Sequence, residues 1–139
     1  AILSDERMEY LRQIPEGGNW RDLPAAQIKG AMGGAYTSGG GKAGFYRRLS
    51  FNQPSPTVVT SPIQKATMMC HPTEDRPLSV RECARIQQFP DDWIFTGTTV
   101  AKYRQIGNAV PIGLGEAIGK AIIAVASKTA SVQTKRRKR

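Results

Sequence analysis

Apolar residues recur at helical spacing near the start of the chain, and local stop and start signals divide this part into two short helices. Residues 4–14 place apolar side chains near one face, with Ser4 in position to cap the helix and acidic residues in the first turn. Pro15 and the glycines after it end this segment. Residues 24–32 predict a second short helix, which begins at Pro24.

A third helix is predicted over residues 79–89. Ser79 and Glu82 have the spacing of a capping box, in which each side chain satisfies a backbone amide at the start of the helix. Pro90 cannot continue a helix and ends it. Cys83 lies inside this segment, where a small buried thiol is expected.

The longest predicted helix covers residues 111–127. Pro111 suits the first helical position, and Ile118, Ile122 and Val125 line one face among many alanines. A helix that is apolar on most sides needs burial against other elements. The rest of this chain offers little surface to cover it, so the pattern predicts contact with another protein surface.

Residues 45–60 are predicted to be extended, because aromatic and branched side chains punctuate a polar stretch that prolines interrupt. The mixture of arginine, aromatic and hydroxyl side chains suits contacts with phosphates and bases. It suits an exposed edge strand equally well. Composition alone favours the edge strand.

The net charge is +9 over 139 residues, and its distribution is uneven. Residues Lys135 to Arg139 are all basic and supply five of these charges, so the remaining body carries only +4. A basic tail attracts phosphate without reading sequence. A disordered solubilising tail or a cloning remnant is the alternative interpretation.

The two cysteines, Cys70 and Cys83, form no CxxC pair, and the single histidine gives no cluster with metal-ligand spacing. This usage predicts reduced thiols in a cytoplasm and no bound metal. No apolar run is expected to approach the roughly 20 residues that span a bilayer, so no membrane is expected as a partner.

Three stretches resemble the cytosine-5 DNA methyltransferases. Residues 76–93 (RPLSVRECARIQQFPDDW) resemble motif nine of that family, and residues 103–111 (YRQIGNAVP) resemble motif ten. Residues 44–62 (GFYRRLSFNQPSPTVVTSP) resemble the end of a target-recognition region, which varies with the DNA target. Both motifs are many positions long and occur in the family's order.

The resemblance implies an α/β fold that is complete only in an assembled enzyme. This chain would supply a small recognition lobe of mixed strands and short helices, and its C-terminal helix would complete a partner's Rossmann-like domain. The expected division is a target-recognition region over 1–75, a motif nine segment over 76–95, motif ten with the final helix over 96–127, and a basic tail over 128–139.

The family's glycine-rich cofactor loop, Pro-Cys nucleophile and Glu-Asn-Val segment do not occur here, and neither cysteine follows a proline. We therefore expect no catalytic residue in this chain. The nucleophilic cysteine would belong to a catalytic alpha-type chain, and this chain would resemble the beta subunit of a split methylase of the AquI type. A fragment of one longer enzyme and a non-catalytic DNA-binding regulator are the alternatives.

Gly107, Asn108 and Ala109 are the candidate cofactor residues. They stand before a helix opened by Pro111, where free amides and the helix dipole favour a carboxylate or a phosphate. In the family, the asparagine at this position touches the amino-acid end of S-adenosyl-L-methionine, which the two chains would share. The alternative is that Asn108 only caps the turn.

The expected nucleic-acid partner is double-stranded DNA. An arginine fork matches guanine in the major groove or two phosphate oxygens, and strand alternation predicts that one of two adjacent arginines faces the DNA. A structural RNA-binding protein would be the alternative for a basic chain, but the two motifs argue against it. The candidate DNA contacts are Arg47, Arg48, Thr57, Ser61, Gln64 and Lys65.

Overall fold

The structure, a computed structural model, describes residues 3–39 and 42–137, with side chains described as far as residue 128. Its α-helices and strands are α1 (Asp5–Arg12), α2 (Ala25–Met32), β1 (Arg47–Arg48), β2 (Met69–Cys70), α3 (Val80–Ile86), α4 (Thr99–Asn108) and α5 (Ile112–Arg137). Single 3-10 turns lie at Trp20–Asp22, Gly33–Tyr36 and Lys65–Thr67. The described part is therefore a small mixed helix and strand unit.

The sheet is a parallel pair only two residues long. Arg47 pairs with Met69 and Arg48 pairs with Cys70, while Cys70 also forms an antiparallel bridge to Pro77. The prediction of extended structure over residues 45–60 is therefore wrong outside β1, because the remainder consists of turns and irregular backbone. Prolines in that segment remove the amide donors that a longer ladder would need.

Side chains from β2 enter two separate apolar clusters. Cys70 lies in a first cluster with Met68, the residue before β2, and Met69 lies in a second one, because successive residues of an extended chain point to opposite faces. The first cluster consists of Leu3, Leu11, Ile14, Leu23, Ala31, Met32, Phe45, Tyr46, Met68 and Cys70. The second consists of Val58, Met69, Leu78, Cys83, Ala84, Phe95, Tyr103 and Ile106.

The local end signals of the helices are partly confirmed. Glu82 N donates to Ser79 Oγ at 3.2 Å and Ser79 N donates to Glu82 Oε2 at 2.7 Å, which is the predicted capping box. Cys83 is buried inside this helix as expected. Ser4 occupies the N-cap position of α1, but its side chain makes no capping hydrogen bond.

The sequence-based interpretation missed α4. Thr98 caps this helix by accepting from Ala101 N at 3.2 Å, and its buried side chains Tyr103 and Ile106 join the second cluster. The Tyr103 hydroxyl donates to Leu78 O at 2.7 Å. α4 therefore joins the motif nine segment to the motif ten loop.

The final helix α5 lies largely outside the two clusters, and its apolar residues are exposed. The exposed fraction is 49% at Ile118, 63% at Ile122 and 65% at Val125. Glu116 and Lys120 form an ion pair of 2.6 Å on this helix. The side chains of Lys135 to Arg139, which carry the predicted basic tail, lie outside the described side chains.

One stretch, Thr99–Lys128, is long and apolar enough to span a membrane by length and composition, with a mean hydropathy of 1.6 in a window that is not buried. The expectation that no apolar run reaches this length is corrected to that extent. Three residues, 109–111, separate α4 from α5 within the stretch, and α4 buries Tyr103 and Ile106 in the second cluster.

Candidate cofactor and DNA contact surfaces

The motif ten loop is defined as residues 106–113, which comprise the end of α4, the connection 109–111 and the first two residues of α5. It is held from the end of α3. Gln87 is buried, and its side-chain amide donates to Ile106 O and to Ala109 O, each at 3.0 Å. Both amide hydrogens of Gln87 are thereby used on carbonyls that lie on either side of Gly107 and Asn108. The α3 end thus fixes the last turn of α4.

The same end of α3 also caps the start of α5. Ile112 N donates to Gln87 O at 3.3 Å, and Gly113 N donates to Gln88 Oε1 at 2.6 Å. Pro111 has no amide hydrogen, so these two amides are among the first donors of α5. The expectation that free amides here attract a carboxylate or phosphate is therefore corrected, because the chain itself already uses both.

Gly107 lies in the last turn of α4 rather than in the loop before α5. A Cβ at this position would collide with the backbone of Val59 and Thr60. The expected close approach therefore does occur, but the neighbour is the chain's own backbone rather than a bound cofactor. Glycine is required here because no side chain fits between α4 and the Val59–Thr60 segment.

Asn108 ends α4 with its side chain exposed, and Ala109, the C-cap residue, is partly buried. Within the described residues the Asn108 side chain makes no hydrogen bond, so it does not cap the turn. Its amide offers one acceptor and two donor hydrogens to a ligand. Of the three candidate cofactor residues, Asn108 is the one with an exposed polar side chain, and its contact with a cofactor stays a prediction.

Arg48 is a core residue, which corrects its assignment as a DNA contact. It is 4% exposed, and its guanidinium donates to Ile14 O and Leu11 O at 2.8 Å, to Glu74 O at 3.0 Å, to His71 O at 3.1 Å and to Asp75 Oδ1 at 2.7 Å. An arginine side chain has five N–H groups, and all five are used within the chain. No donor remains for a base or a phosphate.

Arg47 points away from this core, as strand alternation requires. It is partly exposed, and its Nε donates to Ala43 O at 3.3 Å. A Cβ on Gly44 would lie 3.4 Å from Arg47 Nη2 and would collide with Ala66 O, so Arg47 lies beside the Lys65–Thr67 turn. Of the two adjacent arginines, Arg47 is the one whose guanidinium is available to DNA.

Lys65 belongs to the same region. Its Nζ lies 3.6 Å from the position of a Cβ on Gly33, so it sits beside the glycine-rich turn after α2. Gln64 precedes it with an exposed side chain. Two of the predicted DNA residues, Arg47 and Lys65, therefore flank the Gly44–Ala66 contact from two segments distant in sequence.

Thr57 and Ser61 flank in sequence the Val59–Thr60 segment that packs against Gly107. Thr57 is exposed, and Ser61 is partly exposed with its backbone carbonyl accepting from the Thr67 hydroxyl at 2.6 Å. This hydrogen bond closes the loop from Ser61 to Thr67. The Val59–Thr60 backbone, which lies between Thr57 and Ser61 in the chain, therefore links the predicted DNA residues to Gly107 in the motif ten loop.

Both cysteines are buried and unsuited to nucleophilic catalysis. Burial raises the pKa of the Cys70 thiol and of the Cys83 thiol to about 12. The thiolate is the reactive species, so neither side chain is reactive near neutral pH. No group of three or more metal-ligating side chains occurs among residues the structure describes.

Sequence reasoning did not single out Gln87, Gln88 or Arg76. Arg76 donates to Glu82 Oε1 and Oε2 at 2.8 Å each, and the hydrogen bond from Arg76 is the main reason why the pKa of Glu82 is lowered to about 2. All three residues lie inside the motif nine stretch. That resemblance was the signal available, but it does not reveal which partner each side chain takes.

A family model described as C-5 cytosine-specific DNA methylase matches residues 7–124 of the chain. This match contains most of α1, all of α2 to α4 and the first half of α5, and it therefore covers both candidate surfaces.

Among individual proteins, the chain is 52% identical over 120 residues to the type II methyltransferase M.Sau96I of Staphylococcus aureus, covering 86% of this chain and 28% of that protein. It is 55% identical over 122 residues to the type II methyltransferase M.PspPI of Psychrobacter sp. (strain TA137), covering 88% and 29%. DNA (cytosine-5)-methyltransferase 3 of Arabidopsis thaliana is 38% identical over 123 residues, covering 78% and 9%. The chain thus spans under a third of the length of these relatives.

Proposed function

Because the chain belongs to the C-5 cytosine-specific DNA methylase family, we propose that it is the DNA-recognition subunit of a cytosine-5 DNA methyltransferase of the restriction-modification type. It binds a specific duplex sequence and lends one contact to the cofactor site. A separate catalytic alpha-type chain supplies the Rossmann-like domain and the nucleophile. The two form a heterodimer in the bacterial cytoplasm.

The observation that carries this proposal is the exposure of α5. Isolated helices gain little stability in water and depend on burial of their apolar face. Ile122 and Ile123, in the middle of α5, are 63% and 67% exposed, so the helix lacks such burial in this chain. A catalytic domain that packs on α5 would bury this face and place Asn108 beside the cofactor.

The division of labour follows from the side chains present. S-adenosyl-L-methionine, when bound, supplies the methyl group for carbon 5 of cytosine. Asn108 hydrogen-bonds the amino-acid end of the cofactor, a role that its exposed amide permits. Arg47 and Lys65 hold the duplex from the recognition lobe, with Thr57, Ser61 and Gln64 as further contacts.

The reacting base must leave the stack to reach the catalytic pocket, as enzymes that modify bases in duplex DNA require. The pocket and the attacking cysteine belong to the partner, because Cys70 and Cys83 are buried with a raised thiol pKa. Attack by such a cysteine divides a difficult substitution into easier steps. The present chain selects the site and keeps the duplex in register.

Reconstitution tests the proposal. Methyl transfer to duplex DNA is measured with the pure chain, with the catalytic chain, and with both together. We expect transfer only with both chains. Transfer by the pure chain would refute the division of labour, and DNA binding without transfer in the mixture would favour a non-catalytic regulator.

A further inference from the structure

Gln87 holds the backbone on both sides of Asn108. Its side chain is 4% exposed and donates to Ile106 O and Ala109 O. Ile106 O also accepts from Ala109 N at 3.1 Å, so this carbonyl keeps a partner without Gln87. Ala109 O depends on Gln87 for the hydrogen bond that anchors it to α3.

The clamp extends to the start of α5. The backbone carbonyl of Gln87 accepts from Ile112 N, and Gln88 Oε1 accepts from Gly113 N. Gln88 has a φ of 64°, in the left-handed region that residues other than glycine rarely adopt. With this backbone conformation, the side chain of Gln87 contacts the N-terminal part of the motif ten loop and that of Gln88 contacts its C-terminal end.

The direction of the Asn108 side chain is set by its backbone alone. Within the described residues this side chain makes no hydrogen bond, so no neighbour orients it. Gly107, its predecessor, is wedged against the Val59–Thr60 backbone, and Ala109, its successor, is tied to Gln87. Gln87 is therefore the side chain that fixes the C-terminal side of Asn108.

We propose that Gln87 is a positioning residue for the cofactor contact of Asn108. It acts through the hydrogen bonds to Ile106 O and Ala109 O and does not touch the cofactor. This inference rests on the proposed function, in which Asn108 contacts S-adenosyl-L-methionine. The inference gives the C-terminal end of α3, in the motif nine segment, an indirect part in cofactor affinity.

The test uses Gln87→Met in the assembled two-chain enzyme. Methionine keeps the length and volume of the side chain and removes both amide donors. We expect about tenfold weaker binding of S-adenosyl-L-methionine, because the binding-competent loop is populated less often. The KM for DNA should stay unchanged, since the recognition lobe is not altered.

The matched control is Gln105→Met. Gln105 lies on the same helix α4 as Asn108 and donates to a backbone carbonyl, Thr96 O, at 2.9 Å, but its side chain makes none of the hydrogen bonds that hold residues 106–113 to the end of α3. The enzyme that carries Gln105→Met should bind S-adenosyl-L-methionine with the affinity of the parent. An equal loss in Gln87→Met and Gln105→Met would mean that any disturbance of α4 lowers affinity, which would overturn the proposal.

A double-mutant cycle separates positioning from general loosening. In an Asn108→Ala background, Gln87→Met should weaken the cofactor no further, because the contact that it positions is already absent. A full tenfold loss in that background would overturn the proposal. An Asn108→Ala variant with parent affinity would instead refute the cofactor contact and with it that part of the proposed function.

Gln88→Gly provides a second variant that does not disturb the core. Gln88 is exposed, and glycine adopts its left-handed backbone without strain, so the folded chain should persist. Loss of the cap on Gly113 should weaken cofactor binding in the same direction as Gln87→Met. If Gln87→Met does not assemble, parent affinity in Gln88→Gly overturns the proposal.

Discussion

Replacing Arg48 with alanine removes a buried guanidinium that joins α1 to the segment after β2. Leu11 O and Glu74 O keep another donor in the chain, whereas Ile14 O and His71 O have Arg48 as their donor among the described hydrogen bonds. A buried carbonyl left unpaired costs about 1–3 kcal/mol. The Asp75 side chain is 40% exposed, so water can replace that partner at little cost.

The two deprived carbonyls and the lost packing of the arginine stem together give an expected loss of about 4 kcal/mol in the free energy of unfolding. This is a large fraction of the 5–15 kcal/mol that stabilises a typical domain. Arg47→Ala is the matched control, because Arg47 is partly exposed and makes one hydrogen bond, at 3.3 Å. Its effect on unfolding should stay within about 0.5 kcal/mol.

Urea unfolding of the assembled enzyme, followed by hydrogen exchange of the α1 and β2 amides, measures both variants. Duplex binding under native conditions is measured beside it. Arg48→Ala should expose the first cluster at lower urea concentration. Parent stability combined with a loss of target discrimination would show that Arg48 reads DNA and that its buried position is incorrect.

Three further changes test other parts of the structure. If Arg47 reads a base, Arg47→Ala should cost about 1–3 kcal/mol of specific duplex binding. If Arg47 contacts a phosphate, the variant should bind all sequences more weakly and with a smaller salt dependence. Titrations of duplex at several salt concentrations distinguish the two cases, and unchanged binding would refute the contact. Ile122→Asp should weaken association with the catalytic chain by several kcal/mol in sedimentation, because a charge would be buried unpaired. Ser127→Asp, also on the exposed part of α5, shows the effect of charge alone. Equal association of Ile122→Asp and the parent would exclude this face from the interface. The hydrogen bond from Arg76 lowers the pKa of Glu82 from 4.5 to about 2, so this carboxylate stabilises the fold fully above pH 4.5 and loses that contribution as the pH falls towards 2. Urea unfolding across this window should show a shallower loss for Glu82→Gln than for the parent, and identical slopes would contradict the pairing.

Local signals in the sequence predicted the elements whose ends depend on near neighbours. The capping box of Ser79 and Glu82 spans three residues, so its spacing alone defined the start of α3. Thr98 caps α4 in the same way, with Ala101 as its donor, and this signal was available. α4 was missed because its apolar residues are few and a glycine lies in its last turn.

The long-range contacts were beyond sequence reasoning. Alternation along β1 indicated that one of Arg47 and Arg48 faces inward, but the choice depends on carbonyls at and just after the end of α1 and on those of His71 and Glu74. The Gln87 contacts join residues 19 and 22 positions apart. Neither spacing has a recognisable pattern, because only the packing of α3 on α4 brings these groups together.

The physical argument for the motif ten site was incorrect in part, and its cofactor residues stay a prediction. Asn108 is exposed as a ligand contact requires, but the amides of Ile112 and Gly113 are already paired with the end of α3. A helix start inferred from proline reveals where orphan amides arise, and does not reveal which side chain satisfies them.

The two-residue strand β2 also orders events during synthesis. Its residues face the first cluster through Cys70 and the second through Met69. As the polypeptide leaves the ribosome, the first cluster has all its members once residue 70 has emerged, whereas the second must wait for Ile106 on α4. Domains form as units while the chain grows, N-terminal parts first. The part of the chain that forms the first cluster can therefore fold before the residues of the motif ten loop have emerged.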